Sequence, residues 1–473
     1  MWIGLLLFFV LVFTLYLVRQ NTCTGNKANL SYSPVCKGLP LLGSALEFGK
    51  NPLKFLQECR KQYGDVFTVL LPGRRMTFIF APTQELRKIF FNGSPNLISF
   101  TAGVEPLTCR IFGISKKGFS MAHRSLLTTL RSELGAKHIP QLAHRLINRY
   151  LFTFRTVWGK EDEKEASNLL TETLSDASLR VIFGDEFANA SPSLFKDFVD
   201  FDEWFELAAT PLLPHFLLRP FVKSRRKLLD TISQNWKYTK NAPIHKLTEA
   251  YGNDGNVPSL LLSALWATWS NVSPTSFWTL THILADEKAK VKVLAEVEKS
   301  CPLLLSSKTE LSLEWIFSNL PFTAYCVSET LRLYASVVDI RKVVENLEFR
   351  EFIIRKGDYL CISPAVSHRE TTLFPQSEDF IPDRFQKQGT HPNAVFDKDL
   401  LTFGGGFYKC PGQSFAMVEI VLLIALVFYL YDIQLVDRVP KMKESQSVGI
   451  KKPSCSCRIH YLWKRRLAGM EEI

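Results

Sequence analysis

Residues 403–412 read FGGGFYKCPG. Three glycines, an aromatic pair, a lysine, one cysteine, a proline and another glycine lead into an apolar stretch, QSFAMVEIVLLIALVFYLYD, that starts at Gln413. Glycine loses more conformational freedom on folding than any other residue, so such a loop implies tight turning or close approach of the backbone. Pro411 and Gly412 suit the start of a helix running on through Phe415 and Glu419. The first N–H groups of a helix lack intrahelical partners. Beside Cys410 they are placed to hydrogen-bond a thiolate and lower its pKa. The plain alternative is a cysteine acting as a small buried hydrophobe.

Two other stretches bear on that choice. Glu329-Thr330-Leu331-Arg332 places an acid and a base three residues apart, where they share a helix face and can pair. FIPDRF (380–385) follows about fifty residues later with Phe380, Pro382, Arg384 and Phe385. Phe403, Gly406, Cys410 and Gly412 match Phe-x-x-Gly-x-x-x-Cys-x-Gly, and the three stretches occur in this order. Together they resemble the haem-thiolate loop and companion motifs of the cytochrome P450 superfamily, and the resemblance covers essentially the whole chain.

That resemblance implies a mainly α fold with small β-sheets, a single triangular α-rich domain spanning residues 44–473. It implies haem b as cofactor, with Cys410 as the axial ligand to the iron. Phe403, Gly406, Tyr408 and Gly412 become cofactor-binding neighbours. Glu329, Arg332 and Arg384 become a structural set behind the thiolate loop. A thiolate ligand pushes electron density onto iron and favours O–O cleavage. Two positions depart from the family pattern. Tyr408 stands where an arginine commonly contacts a haem propionate, and the Trp-x-x-x-Arg of an earlier helix is missing from GFSMAHRSLLTTLR (118–131). His123, Arg124 and Arg131 remain as alternative propionate partners.

SLLLSALWATWSNVSPTSFWTLTHIL (259–284) reads as the long helix on the oxygen side. Most of the family carries an acid followed by Thr there; this chain has Ser270 and Asn271, which become the expected catalytic pair. Pro274 has no N–H, so the carbonyl of Ser270 loses its helical partner and leaves a polar notch. This helix is similar to that of the branch containing sterol 7-hydroxylases, sterol 12-hydroxylases and prostacyclin synthase. RMTF (75–78) and SVGIKKPSCSCRIHY (447–461) resemble most an oxysterol 7α-hydroxylase acting on 24-hydroxycholesterol. Leu265, Trp269, Thr275, Val337, Val338 and Val448 are candidate substrate contacts, each of which could equally be core.

The implied activity is sterol or oxysterol hydroxylation, specifically 7α-hydroxylation of 24-hydroxycholesterol in cholesterol catabolism to bile acids. Electrons would come from NADPH through the NADPH–cytochrome P450 reductase, docking on Lys409 and the basic stretch 116–137. One alternative is a haem-thiolate isomerase of the prostacyclin synthase type, needing no NADPH. Another is a binding protein with an inactive haem site.

The bulk composition fits this reading. The chain has 473 residues, 46% of them hydrophobic and 36 of them Phe, enough for a large aromatic-rich core. The net charge of +11 suits an anionic membrane or an acidic protein partner. Neither basic runs with interleaved aromatics nor zinc spacings occur, which argues against nucleic acid. Ten cysteines scattered along so long a chain suit reduced thiols facing the cytosol. Trp2 to Val18 are apolar and Arg19 follows, so residues 1–19 read as a single transmembrane anchor in the endoplasmic reticulum membrane with a cytosolic body. Residues 20–43 read as a linker containing Pro34 and Pro40. NPLKFLQECRKQYG (51–64) reads as a helix capped by Asn51. DVFTVLLPGRRMTFIFAP (65–82) reads as a hairpin. Residues from about 120 to 340 read as overwhelmingly helical with polar breaks, with short strands after 340 and again over 433–463. The segment 207–227, apolar and proline-broken before a basic run, reads either as an interfacial membrane contact or as a buried loop.

Overall fold

The apolar stretch after Cys410 forms a helix, Gln413–Leu430, in which Phe415 and every residue from Met417 to Leu430 are buried. A helix that is apolar on all sides has to be covered on all sides. Here the covering comes from Ile139–Thr153, Glu287–Leu304 and Pro321–Tyr334. This computed structural model of the chain describes residues 30–210, 213–251, 254–386 and 398–464. The expected anchor, 1–19, lies outside the described residues, as does the linker before Leu30.

The mainly helical body carries three small sheets. The largest orders Val66–Leu71, Arg74–Ile79, Tyr359–Ile362, Asp339–Val343 and Ile98–Ser99. Its hairpin pairs Val66 with Ile79 and turns at Gly73 with φ +75°. The helix before it, Pro52–Tyr63, is capped as expected: Asn51 Oδ1 accepts the Lys54 N–H at 3.0 Å. The described end of the linker lies on this hairpin, with the Cys36 N–H donating to the Thr68 carbonyl at 2.8 Å.

Two elements differ from the sequence reading. Glu161–Glu165, inside the stretch read as helical, is a strand pairing with Arg458–Trp463, which in turn pairs with Tyr431–Leu435. Its sequence, EDEKE, has no intrinsic preference for a strand. Arg458 compensates Glu163 at 2.5 Å, and Glu161 faces His460 at 3.4 Å. The oxygen-side helix is not continuous either. It is split into Val257–Trp269 and Val272–Ala285, with Ser270 and Asn271 at the junction. Pro274 forces the break, because the carbonyl of Ser270 has no i+4 N–H to receive.

The described residues of the segment 207–227 are partly buried and partly exposed. Leu218, Phe221 and Ser224 are buried, while Leu207, Phe216 and Leu217 are exposed.

Candidate active site

Cys410 stands between a loop and the start of the Gln413–Leu430 helix. Its N–H donates to the Phe403 carbonyl at 2.9 Å, closing the loop on itself. The loop turns through left-handed conformations at Gly404 (φ +66°) and Gly406 (φ +64°). A Cβ on Gly406 would lie 2.4 Å from the Phe91 carbonyl oxygen, and one on Gly405 would lie 2.8 Å from the Phe91 ring. The close approach these glycines permit is therefore to Phe91 and Asn92. Gly412 is different: its φ is −92° and the nearest atom to an added Cβ is 3.9 Å away.

The backbone N–H groups of Gly412 and Gln413 hydrogen-bond the Cys410 sulfur. The cysteine has free surface, yet burial is the largest influence on its thiol and pushes the pKa up. Both hold for a sulfur that looks into an internal space instead of bulk water. The two N–H groups, Lys409 and Arg131 act the other way and favour the thiolate.

Basic and aromatic side chains surround the loop. Arg131 donates to the Phe407 carbonyl at 2.7 Å and lies over the Phe407 ring, as does Arg124. His123 turns away, donating to the Phe119 carbonyl at 2.9 Å and stacking on that ring. Tyr408 stacks on Phe100 with centroids 4.1 Å apart. Arg341, which the sequence reading missed, lies 4.5 Å from the Phe90 centroid and 4.8 Å from that of Phe100. It is buried, its hydrogen bond goes to the neighbouring Ile340 carbonyl at 2.9 Å, and burial lowers its pKa. The signal available was an arginine in the middle of the short strand DIRKV. One thiolate donor, a buried arginine with donors to spare, and Arg124 and Arg131 suit a flat iron-bearing ligand with two carboxylates. The residues present therefore fit a haem.

The structure brings Glu329, Arg332 and Arg384 together. Arg332 grips Glu329 through Nε at 2.7 Å and Nη2 at 2.8 Å, with both side chains fully buried. Its remaining donors reach the carbonyls of His368, Ser377 and Asp379 at 2.9, 2.6 and 3.0 Å. Arg384 Nε and the Ile381 N–H both donate to Glu329 Oε1, at 3.0 and 2.9 Å. Charges so deep in protein are tolerable only when paired and fully hydrogen-bonded.

On the oxygen side, Asn271 Oδ1 accepts the Ile450 N–H at 3.1 Å, and the Asn271 carbonyl accepts the Thr275 hydroxyl at 2.7 Å. The Ser270 hydroxyl is buried without a partner. Among the candidate substrate contacts, Leu265 and Thr275 are core, and Trp269 meets Phe195 and Phe198 edge-on at 5.7 and 4.8 Å. Val338 packs beside the hairpin core; Val337 is half-buried. Val448 alone shares a cleft with Ser270 and Asn271.

The cytochrome P450 family model matches residues 34–253 and 244–458. This chain belongs to the cytochrome P450 family. Human 24-hydroxycholesterol 7-alpha-hydroxylase is 30% identical over 452 residues, covering 92% of this chain and 94% of the relative. Mouse cytochrome P450 7B1 is 28% identical over 466 residues, covering 90% of each. Bovine lanosterol 14-alpha demethylase is 25% identical over 422 residues, covering 84% of this chain and 82% of the relative.

As a P450 the protein is a monooxygenase that uses haem and takes electrons from a redox partner. When bound, the haem supplies the oxygen-activating chemistry. The chain would offer Cys410 as the thiolate, with two backbone N–H groups to favour its charge, on a glycine loop packed against Phe91. Arg124, Arg131 and Arg341 are the cations that would hold the carboxylates. The Glu329–Arg332–Arg384 set ties the helix Pro321–Tyr334 to the segment 368–384.

Proposed function

We propose that this P450 hydroxylates a sterol, and specifically carries out 7α-hydroxylation of 24-hydroxycholesterol on the route from cholesterol to bile acids. The observation that carries this reading is the alignment, over 92% of the chain, with a relative named for that reaction. The polar junction at Ser270 and Asn271 is in keeping with it. Electrons come from NADPH through the flavoprotein reductase, which docks on the face bearing Lys409 and the exposed Lys116, Lys117, Arg131 and Lys137. The enzyme sits at the endoplasmic reticulum membrane, held by the apolar residues 2–18 and by Phe216 and Leu217, which are 73% and 60% exposed ahead of the basic helix Arg219–Asn235.

The test begins with the ferrous–CO spectrum, followed by incubation with cholesterol or 24-hydroxycholesterol, with and without reductase and NADPH. A strongly red-shifted Soret band with a 7α-hydroxylated product only in the presence of NADPH is expected. The same band with NADPH-independent turnover of an endoperoxide would select the isomerase reading, with which the lack of an acid at 270–271 is equally compatible. No red-shifted band would remove Cys410 as ligand.

A further inference from the structure

Cys36 and Cys59 differ from the buried cysteines elsewhere in the body. Cys301, Cys361 and Cys457 each direct the thiol at a backbone carbonyl, those of Ala425, Tyr359 and Arg438. Cys36 and Cys59 direct theirs at each other, and the two side chains are hydrogen-bonded. Both are buried, at 4% and 6% exposure, in the cluster that Phe67, Phe78 and Phe80 build on the hairpin.

Hydrogen bonds other than the thiol contact hold the two segments at this spacing. The Cys36 N–H donates to the Thr68 carbonyl at 2.8 Å, and the Thr68 N–H donates to the Pro34 carbonyl at 2.7 Å. Residues 34–36 therefore run along the strand Val66–Leu71. The Lys37 N–H donates to the Tyr63 hydroxyl at 3.1 Å. Cys59 lies one turn before Tyr63 on the helix Pro52–Tyr63, and residues four apart share a helix face. Consecutive residues of the segment, 36 and 37, thus meet consecutive turns of the helix. Sulfur atoms in hydrogen-bonding contact are within about 2 Å of bonding distance. The contact also divides the pair: the Cys36 S–H donates and the Cys59 sulfur accepts, which lowers the Cys59 pKa and raises that of Cys36. The thiolate is the reactive form, so Cys59 is the attacking sulfur.

We propose that Cys36 and Cys59 are a peroxide-responsive dithiol site, oxidised by hydrogen peroxide to a disulfide that clamps the segment 33–37 to the helix Pro52–Tyr63. The Cys59 thiolate attacks one peroxide oxygen, the O–O bond breaks and hydroxide leaves, to be protonated to water. Cys59 is then a sulfenic acid. The Cys36 sulfur attacks the Cys59 sulfur, the S–S bond forms, the S–O bond breaks, and hydroxide leaves with the Cys36 proton as a second water. Two thiols and one peroxide give one disulfide and two waters, with two electrons passing from sulfur to oxygen. The small residual exposure suits an oxidant scarcely larger than water and shuts out a bulky disulfide. The bond closes a loop over residues 37–58 that includes the helix Ala45–Lys50 and so restricts the unfolded chain.

The experiment treats the purified holoenzyme with hydrogen peroxide, stops the reaction with catalase and unfolds the protein in an alkylating reagent. Trypsin then releases Cys36 in peptide 28–37 and Cys59 in peptide 55–60. The expected product is the joined pair, lighter by two hydrogen atoms than the separate peptides and split by dithiothreitol. The alkylated Cys59 signal is expected to fall at least about tenfold, while those of Cys301 and Cys361 fall less than about twofold. Cys36→Ser keeps a donor beside Cys59 but removes the second sulfur, so Cys59 accumulates there as a sulfenic acid that dimedone captures. If that variant does not fold, the wild-type peptide map decides alone. Alkylated Cys36 and Cys59 after peroxide, or equal oxidation of Cys301 and Cys361, would overturn the proposal. So would Cys59 carried on to sulfinic acid without the joined peptide. A folded Cys36→Ser with no dimedone adduct would overturn the assignment of Cys59 as the attacking thiol.

Discussion

Replacing Arg332 by alanine tests whether the buried ion set supports the haem site. The change removes two contacts to Glu329, at 2.7 and 2.8 Å, and one each to the carbonyls of His368, Ser377 and Asp379. Breaking one side of a buried pair costs about 3–5 kcal/mol. Arg384 and the Ile381 N–H still hold Glu329 Oε1, which argues for the lower end, about 3 kcal/mol. Three carbonyls without donors add at least about 1 kcal/mol each. The sum, about 6 kcal/mol, is comparable to the entire stability of an ordinary domain, about 5–15 kcal/mol. Arg332→Ala is therefore expected to yield no haem-loaded protein at 37 °C. Arg384→Ala, whose other acceptors are the exposed carbonyls of Pro375 and Gln376, loses only about 1–2 kcal/mol. Urea unfolding followed by fluorescence, with the ferrous–CO spectrum alongside, reads both. The double change Glu329→Leu with Arg332→Leu removes the buried pair but orphans the three carbonyls, the Ile381 N–H and Arg384 Nε, so it stays at least about 5 kcal/mol below wild type. Full recovery in the double variant, or a loss under about 2 kcal/mol in Arg332→Ala, would refute the account.

Cys410→Ala is expected to abolish both the red-shifted Soret band and NADPH-dependent product while leaving the far-UV circular dichroism unchanged; a surviving band would mean another residue holds the iron. Gly406→Ala places a Cβ 2.4 Å from a backbone oxygen at φ +64°, costing about 1–2 kcal/mol for the left-handed conformation alone. Gly412→Ala has room, so haem content and melting temperature should fall for the first and hold for the second. Burial pushes Glu419 up to about 8, with Ser178 as its one side-chain partner among the described residues. The folded state then binds more protons than the unfolded one from about pH 4.5 to about 8, and stability falls as pH rises through that window. Glu419→Gln lacks this slope, so its advantage over wild type should grow by a few kcal/mol between pH 5 and pH 9 in urea titrations. Parallel pH dependences would show that Glu419 is not the group responsible.

The elements that the sequence revealed are those whose signal is local. The Asn51 cap, the Pro72-Gly73 hairpin and the all-apolar helix after Cys410 each depend on neighbouring residues, and each stands where it was read. The Glu–Arg–Arg set was legible because its three residues sit in ordered motifs, although their geometry spans 55 positions. The strand Glu161–Glu165 was not legible, because its partner is some 300 residues away in the chain and its own composition argues against a strand. Arg341 went unnoticed since a single basic residue in a strand has no pattern; only folding shows it buried among aromatic rings. The cleft beside Ser270 is assembled from three distant segments, and Glu206 gives no local hint of its two backbone partners in the turn 446–452.

That turn also sets an order in time. Chains are made from the N-terminus onward, so the partners of this turn are synthesised before it. The thiolate loop, the buried ion set and the interrupted helix all emerge before Ser447 and Ile450 do. Until those residues arrive, Asn271 Oδ1, Glu206 Oε1 and the backbone of Ser336 have no partners on this side. Asn271, Glu206 and Ser336 are thus made before the residues that complete their hydrogen bonds, and this side of the molecule closes only once the turn 446–452 is in place.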